Sequence, residues 1–272
     1  MSFSKARPLV LVGAGKMGGA MLTGWIASGI DPQTIVVIDP APSSDLLSFA
    51  ARKGFRLDTA LPAGTMAGVL LLALKPQMMA SALDALKPSA DAETLVISIA
   101  AGTPSAVFEA AFGETAVVRV MPNTPSQVGR GMSVAFANAR TSEAQRETVD
   151  TLLAAIGASA WIETEDQMDA VTAVSGSGPA YVFYLTEALA AAGVKAGLPE
   201  DLAMQIARQT VCGAGELMYR VETPAEELRR NVTSPNGTTA AALAVLMADD
   251  GLQPVLDAAV AAARKRSKEL AG

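Results

Sequence analysis

Over the first 165 residues, short unbroken apolar runs alternate with stretches in which hydrophobic side chains recur at helical spacing. Pro8 to Val12 is an apolar run of the kind that strands buried on both faces show, and it stops at a glycine-rich turn. Comparable runs cover Ile35–Ile38, Val69–Leu74, Leu95–Ile99, Val117–Val120, Met132–Ala137 and Ala158–Ile162. Between them, Met17–Ser28 reads as a helix ending near Gly29, and Leu46–Lys53 as another with Gly54 placed to cap it. Strands alternating with helices predict a mostly parallel sheet covered on both faces.

After Glu165 the texture changes. No further β-branched run occurs, and alanine-rich segments with helical spacing take over: Pro179–Ala192, Pro199–Tyr219, Pro224–Asn231, Thr239–Asp249 and Gln253–Leu270. The first three carry proline in the first turn, where its missing N–H costs nothing. The pattern therefore predicts an α/β chain of two parts. Residues 1–165 form an N-terminal Rossmann-type doubly wound sheet, and residues 166–272 an all-helical C-terminal dimerisation domain. Small residues on the late helices permit close approach between helices or subunits, although alanine is also the best helix former. Cys212, inside one of these helices, reads as a small core residue. Trp25 and Trp161 read as packing, and Arg264–Lys268 as a solvated helix end. The most apolar late stretch, Ala180–Val194, carries Glu187 and Gly193 and falls short of the ~20 residues a membrane span needs. Met1–Pro8 is short and polar, so a soluble, cytoplasmic protein without a leader or membrane partner is expected.

Composition narrows the chemistry. Half of the 272 residues are hydrophobic and 18% are charged, which suits a folded core, and the net charge of −6 argues against a nucleic-acid partner. The chain has no histidine and a single cysteine. Histidine-assisted nucleophiles, histidine-ligated metals, cysteine clusters and internal disulfides are all excluded. With so little acid–base power near neutral pH, a borrowed cofactor would supply the reactivity, and no metal is expected.

One motif points to such a cofactor. Gly13, Ala14, Gly15, Lys16, Met17 and Gly18 lie between an apolar strand and an amphipathic helix. In that context Gly13 permits the tight turn, Gly15 lets the backbone approach a pyrophosphate, and Gly18 allows close helix–strand packing. Asp39 stands 21 residues beyond Gly18 at the end of the second strand, where a carboxylate accepts hydrogen bonds from ribose hydroxyls and repels a 2′-phosphate. Taken alone it favours NADH over NADPH; the alternative is a cap on the turn before Pro40 and Pro42, and Ser43 and Ser44 could still help hold a phosphate. Three further turns fall at strand ends, where ligands of parallel sheets bind: Ala73-Leu74-Lys75-Pro76, Ile99-Ala100-Ala101-Gly102 and Met121-Pro122-Asn123-Thr124-Pro125. Lys75 either meets a ribose or an anionic substrate or is simply solvated. Later, Ser175-Gly176-Ser177-Gly178-Pro179 interrupts a helical pattern, as a break or a point of close approach. The polar stretch Asn231–Thr239 opens a helix, where Thr238 and Thr239 either cap it or leave its N–H groups to hold a carboxylate.

Taken together, in this order and spacing, the glycine loop, Ala73–Pro76, Met121–Pro125, Ser175–Tyr181 and Ser234–Thr239 resemble pyrroline-5-carboxylate reductases. The resemblance runs from about Leu9 to the last helices, and the two late motifs are its specific ones. It implies reduction of 1-pyrroline-5-carboxylate to L-proline by NADPH or NADH, the last step of proline biosynthesis. It also implies a homodimer with interlocked helical domains, an active site at the subunit interface, and often a decamer. Residue by residue, it assigns the pyrophosphate to Gly13–Gly18 and the nicotinamide half to Ala73, Lys75, Pro76, Ala100 and Ala101, with Asn123 counted among the cofactor contacts. Glu165, Asn231, Ser234, Gly237, Thr238 and Thr239 fall to the pyrroline ring and its carboxylate. Where the family often has Gly-Gly after Ser-Pro, this chain has Asn236-Gly237, and near the adenosine site it reads Leu57-Asp58-Thr59-Ala60.

That chemistry needs no histidine. A cyclic imine protonated on nitrogen is already electrophilic, so hydride delivery asks for positioning more than for acid–base catalysis. Amides around Ser234–Thr238 would clamp the ring carboxylate, and the catalytic Thr239 hydroxyl would orient the ring nitrogen. The competing readings are a reductase of another cyclic imine, a β-hydroxyacid dehydrogenase relative and a non-catalytic dinucleotide-binding regulator. The dehydrogenase would need a lysine on the first long interdomain helix, and Ala170–Ala190 has none.

Overall fold

The structure, a computed structural model, describes residues 3–271. It falls into two compact units. One runs to Gly176 and takes back the segment from Arg264 onward; the other spans Ser177–Ala263.

In the first unit eight strands form one sheet: β1 Leu9–Val12, β2 Ile35–Ile38, β3 Arg56–Asp58, β4 Val69–Leu72, β5 Leu95–Ser98, β6 Ala116–Met121, β7 Gly131–Ala137 and β8 Gly157–Trp161. Their order is β3-β2-β1-β4-β5-β6-β7-β8. Every pairing is parallel except β6 with β7, where Arg119 stands opposite Phe136. The order reverses between β1 and β4, which places a switch point, and the crevice that goes with it, at the end of β1. The sequence pattern located seven of these strands. It passed over β3, whose three residues hold one apolar side chain between two charges, as suits a short edge strand.

Five helices flank the sheet: α1 Lys16–Ala27, α2 Ser44–Lys53, α3 Pro76–Leu86, α4 Ser105–Phe112 and α5 Glu143–Ala154. Because side chains alternate along a strand, each strand feeds two cores. Leu9, Leu11, Val37 and Leu71 pack with Met21, Leu22 and Trp25 of α1 and with Val149, Leu152 and Leu153 of α5. Val10, Val12, Leu70 and Leu72 pack with Met79, Leu83 and Leu86 of α3 and with Phe108 of α4. Trp25 is packing, as expected: it is fully buried, and its indole N–H donates to the Leu152 carbonyl at 2.9 Å. Trp161 donates to Asp150 Oδ1 at 2.9 Å and carries the Arg146 guanidinium over its ring.

At the opposite end of the sheet from the switch point, Arg7 staples three strands. Its guanidinium donates to both Asp91 oxygens, at 2.6 and 2.9 Å, and to the Ala67 carbonyl. The Arg7 guanidinium, together with the Glu93 and Thr94 donors, holds the Asp91 carboxyl well below the usual carboxylate range.

The unit does not stop at 165 but extends through a short helix, α6 Met168–Val171, and one π-helical turn, Thr172–Gly176. The compact unit thus runs about one helical segment past residue 165, with Glu165 and Asp169 bonding to other groups of the same unit. The suspected break at Ser175–Pro179 is a change of helical winding. A π-turn passes at Ser177 into α7, Gly178–Lys195, with Pro179 in its first turn.

In the second unit α7 and α8, Glu200–Arg220, form an antiparallel pair closed by Gly197 at φ +102°. α9 Ala225–Asn231, α10 Thr238–Leu246 and the first part of α11, Leu252–Ala271, follow, with Pro199 and Pro224 as the N-cap residues of α8 and α9. Among the described residues from Ser177 to Ala263, only Ala190, Ala203 and Ala207 are buried. Meanwhile Phe183, Tyr184, Val245, Met247 and Val255 are each more than 60% exposed. Helices with so much open apolar surface and no large buried side chain lack a core of their own and call for a partner. Cys212 corrects the sequence reading: it is exposed on α8, not packed in a core. No helix among the described residues is long and apolar enough to cross a membrane.

Candidate active site

The glycine loop divides its tasks as the spacing predicts. Gly13 has φ +91°, and a Cβ there would stand 2.7 Å from the Ala73 carbonyl oxygen, so both conformation and contact demand glycine. A Cβ on Gly18 would come within 2.2 Å of the Gly13 oxygen, because α1 starts hard against the loop. Around Gly15 there is open space within 4 Å. Gly15 is the N-cap residue of α1, and no side chain caps the helix. First-turn amides thus face a ligand-sized opening with the positive end of the helix dipole behind them, which fits a pyrophosphate. Ala14, Lys16 and Met17 sit in the same turn, Lys16 exposed.

Asp39 ends β2 beside that loop. Its Oδ2 accepts from the Ala14 N–H and its Oδ1 from the Ala41 N–H, both at 3.0 Å. The carboxylate is therefore a turn cap and a tie to the glycine loop. Each oxygen keeps a second lone pair, so it can still accept from ribose hydroxyls. A cavity of about 610 Å³ opens here, lined by Lys16, Asp39, Ser43, Asp45 and Arg52 among others. Ser43 Oγ accepts from the Leu46 N–H at 3.2 Å and so caps α2. The acids match the bases in this cavity, so it lacks the excess of cations that favours a phosphate monoester.

The turns at the other strand ends lie on the same edge. Ala73 donates its N–H to the Val12 carbonyl and so adjoins the glycine loop, while Lys75, exposed, is the N-cap residue of α3 with Pro76 following it. Ala100 is buried and Ala101 exposed, in the turn after β5. Asn123 and Glu165 have other work. Asn123 Oδ1 accepts from the Met132 N–H at 2.9 Å, and its amide group donates to the Ser175 carbonyl and hydroxyl at 3.3 Å, fastening the π-turn. Both Glu165 oxygens are committed: Ser105 donates its N–H at 2.8 Å and its hydroxyl at 2.6 Å, and Arg119 donates Nη1 at 3.0 Å. Glu165 thus caps α4 from outside and neutralises a buried arginine, while Oε2, with one donor, keeps a second lone pair. The pattern missed Arg119 and Ser105, although a cation inside an apolar strand was a visible signal.

Asn231, Ser234, Gly237, Thr238 and Thr239 all belong to the second unit, apart from Glu165. Ser234-Pro235-Asn236-Gly237 is a tight turn in which the Ser234 carbonyl accepts from the Gly237 N–H at 3.1 Å. Asn236 has φ +59°, the one positive value at a non-glycine residue among those described. Asparagine is among the side chains that best tolerate this region, so it stands in for glycine here at small cost. Gly237, not a threonine, is the N-cap residue of α10, and no side chain caps the helix. Thr238 and Thr239 instead occupy its first turn, with the amides left open to a ligand. Among the described residues no cluster of acids and cysteines could hold a metal.

Two family models match the chain in succession. Residues 165–270 match the family model for pyrroline-5-carboxylate reductase dimerisation. Residues 8–102 match the model for coenzyme F420-dependent NADP oxidoreductases. Over 264 residues the chain is 41% identical to the pyrroline-5-carboxylate reductase of Pseudomonas aeruginosa, covering 97% of this chain and 96% of that one. It is 38% identical to the enzyme of Haemophilus influenzae over 266 residues, covering 96% and 97%. Among solved structures, a pyrroline-5-carboxylate reductase from Coxiella burnetii superposes with a TM-score of 0.90 at 35% identity, covering 98% and 99% of the two chains. A pyrroline carboxylate reductase from Plasmodium falciparum with NADP bound gives 0.80 at 29%, covering 98% of each.

Proposed function

The chain belongs to the pyrroline-5-carboxylate reductase family, and from that premise we propose how its own residues carry the reaction. The protein reduces 1-pyrroline-5-carboxylate to L-proline with a reduced nicotinamide dinucleotide. When bound, the cofactor supplies the hydride that adds to the C=N carbon. The observation that carries the reading is that α1 and α10 each begin on a glycine N-cap, Gly15 and Gly237, with no side-chain cap. The first opening, behind Gly15, takes the cofactor pyrophosphate, and Asp39 takes the adenosine ribose. The second, behind Gly237, takes the substrate carboxylate.

In this reading amides of the Ser234–Thr238 turn hold the ring by its acid group, leaving out Pro235, which has no N–H, and Gly237, whose N–H goes to the Ser234 carbonyl. The Thr239 hydroxyl, two residues into α10, hydrogen-bonds the ring nitrogen and turns the C=N carbon toward the donor. Amides fixed in a helix start cost no reorganisation as charge moves, so they favour the transition state without titrating. Asp39, in a cavity with no excess of cations, supports a preference for NADH over NADPH. The open apolar surface of the second unit supports a homodimer built from it. The single cysteine suits a cytoplasmic setting.

The test is turnover of each reduced cofactor with pyrroline-5-carboxylate, in wild type and Thr239→Ala. The variant should bind cofactor normally yet lose about a hundredfold in kcat/KM, the scale of one lost transition-state donor. A variant within about twofold of wild type would remove Thr239 from the mechanism.

A further inference from the structure

We infer that the last turns of α11 brace the turn Ala100–Gly102, and that Ser267 and Asp169 are positioning residues for the nicotinamide side of the cofactor site. The inference rests on the reading above that this turn borders the cofactor. From Arg264 onward, α11 groups with the sheet and not with the helical unit. In the segment Arg264-Lys265-Arg266-Ser267-Lys268 the cations are exposed, and only Ser267 is buried, at 5% exposure. Its hydroxyl donates to Asp169 Oδ1 at 2.6 Å, a short charge-assisted bond between residues 98 apart in sequence.

One turn further on, the helix meets the backbone that follows β5. A Cβ on Gly102 would lie 3.2 Å from the Leu270 carbonyl oxygen and 3.4 Å from the Leu270 Cβ. Gly102 also has φ +70°, so its conformation and this contact both restrict the position to glycine. The other end of the same turn is held at Ser105, whose N–H and hydroxyl both go to Glu165. Glu165 and Asp169 stand four residues apart on one short segment. One carboxylate grips the start of α4 and the other grips α11, so the turn between them is fixed from both sides. Exposed Ala101 takes its position from this clamp, while Ala100 is also packed into the core under α3 and α4. The Ser98 hydroxyl accepting from the Ala100 N–H at 3.2 Å, and the Ile99 N–H donating to the Leu72 carbonyl, tie the start of the turn.

A purely structural contact would lower stability and leave the folded enzyme's affinity alone, whereas a brace also moves the cofactor constant. The experiment compares full-length wild type, Ser267→Ala, Asp169→Ala, the double variant and Ser267→Thr. Kd for NADH and NADPH is read from protein fluorescence, KM for pyrroline-5-carboxylate from kinetics and Tm from thermal unfolding. Each single alanine variant should raise cofactor Kd about fivefold, the scale of one lost charged hydrogen bond. The KM for pyrroline-5-carboxylate should stay within about twofold, and the double variant should match the singles. Ser267→Thr, which keeps the hydroxyl, should restore the wild-type Kd. A lower Tm with unchanged Kd, or no rescue by threonine, overturns the inference. A wild type that binds cofactor but does not reduce pyrroline-5-carboxylate would instead refute the functional reading, and the Kd series would still report on the brace.

Discussion

Two glycines in one loop make opposite demands, and replacing each with alanine separates folding from binding. At Gly18 the new methyl would stand 2.2 Å from the Gly13 carbonyl oxygen and 3.2 Å from the Ala73 Cβ. Both the oxygen and the helix are backbone, so the loop and α1 must part by about an ångström, an overpacking cost in the upper part of the usual range, about 2–3 kcal/mol. Alanine returns about 1 kcal/mol of helix propensity, leaving a net loss of roughly 1–2 kcal/mol. For a chain of this size that is a fall in Tm of about 2–6 °C. At Gly15 the methyl meets nothing within 4 Å, and φ −64°, ψ −165° is open to alanine. Its weaker capping costs about 0.5 kcal/mol, and the stiffer unfolded chain returns about as much, so Tm should hardly move. The space that methyl enters is the one assigned to the pyrophosphate. Gly15→Ala should therefore raise the Kd of either reduced cofactor by more than about tenfold, a loss of about 1.4 kcal/mol. Thermal unfolding with and without cofactor, beside a fluorescence titration, reads both quantities. Wild-type affinity in Gly15→Ala refutes the placement of the pyrophosphate; wild-type stability in Gly18→Ala refutes the packing argument.

Two other perturbations probe the charges. Asp39→Ser removes a carboxylate from the adenosine cavity and should move the ratio of kcat/KM values toward NADPH by about tenfold, as expected for one like-charge contact relieved; an unmoved ratio counts against Asp39 as the discriminator. Asp91 tests stability at the far end of the sheet. Its folded pKa lies below the ordinary 3.8, so its ion pair with Arg7 stabilises the fold above that value and is lost as pH falls. The Tm gap between wild type and Asp91→Asn should be full at neutral pH and close progressively below pH 3.8. A gap that persists unchanged into acid would show that the bond, not the charge, matters there.

Much of the fold was legible because a parallel sheet buried on both faces writes itself as unbroken apolar runs, as in Leu9–Val12 and Val69–Leu72. The glycine loop was legible too, because its three glycines answer to three different steric demands. β3 was not, since an edge strand with one buried-type residue carries no such signature. Asn123 and Glu165 show the limit for sites. Nothing in a motif tells how an amide or a carboxylate divides its bonds between ligand and protein, and here Met132, Ser175, Ser105 and Arg119 each take one or more of them. The Ser267–Asp169 bond joins two segments that no local pattern relates. Asn236 was visible as a departure from glycine, but only its φ of +59° shows why the departure is tolerated.

The absence of histidine has a kinetic consequence that follows from what replaces it. The groups assigned to the reaction are backbone amides at two helix starts, the Thr239 hydroxyl and a carboxylate remote from the ring, and the chain holds no imidazole at all. Between about pH 6 and 8 none of these side-chain types ordinarily changes protonation. The imine nitrogen of the substrate does, and only its protonated form is a good hydride acceptor. The pH profile of kcat/KM should therefore fall on the alkaline side with a midpoint set by the substrate. Comparing pyrroline-5-carboxylate with a ring analogue of different imine basicity separates the sources. If the midpoint follows the substrate's own pKa, the proton arrives with the substrate and the protein only orients it. A midpoint that stays fixed as the imine changes would require a titrating protein group, and the mechanism built on helix amides would have to give way to one that includes it.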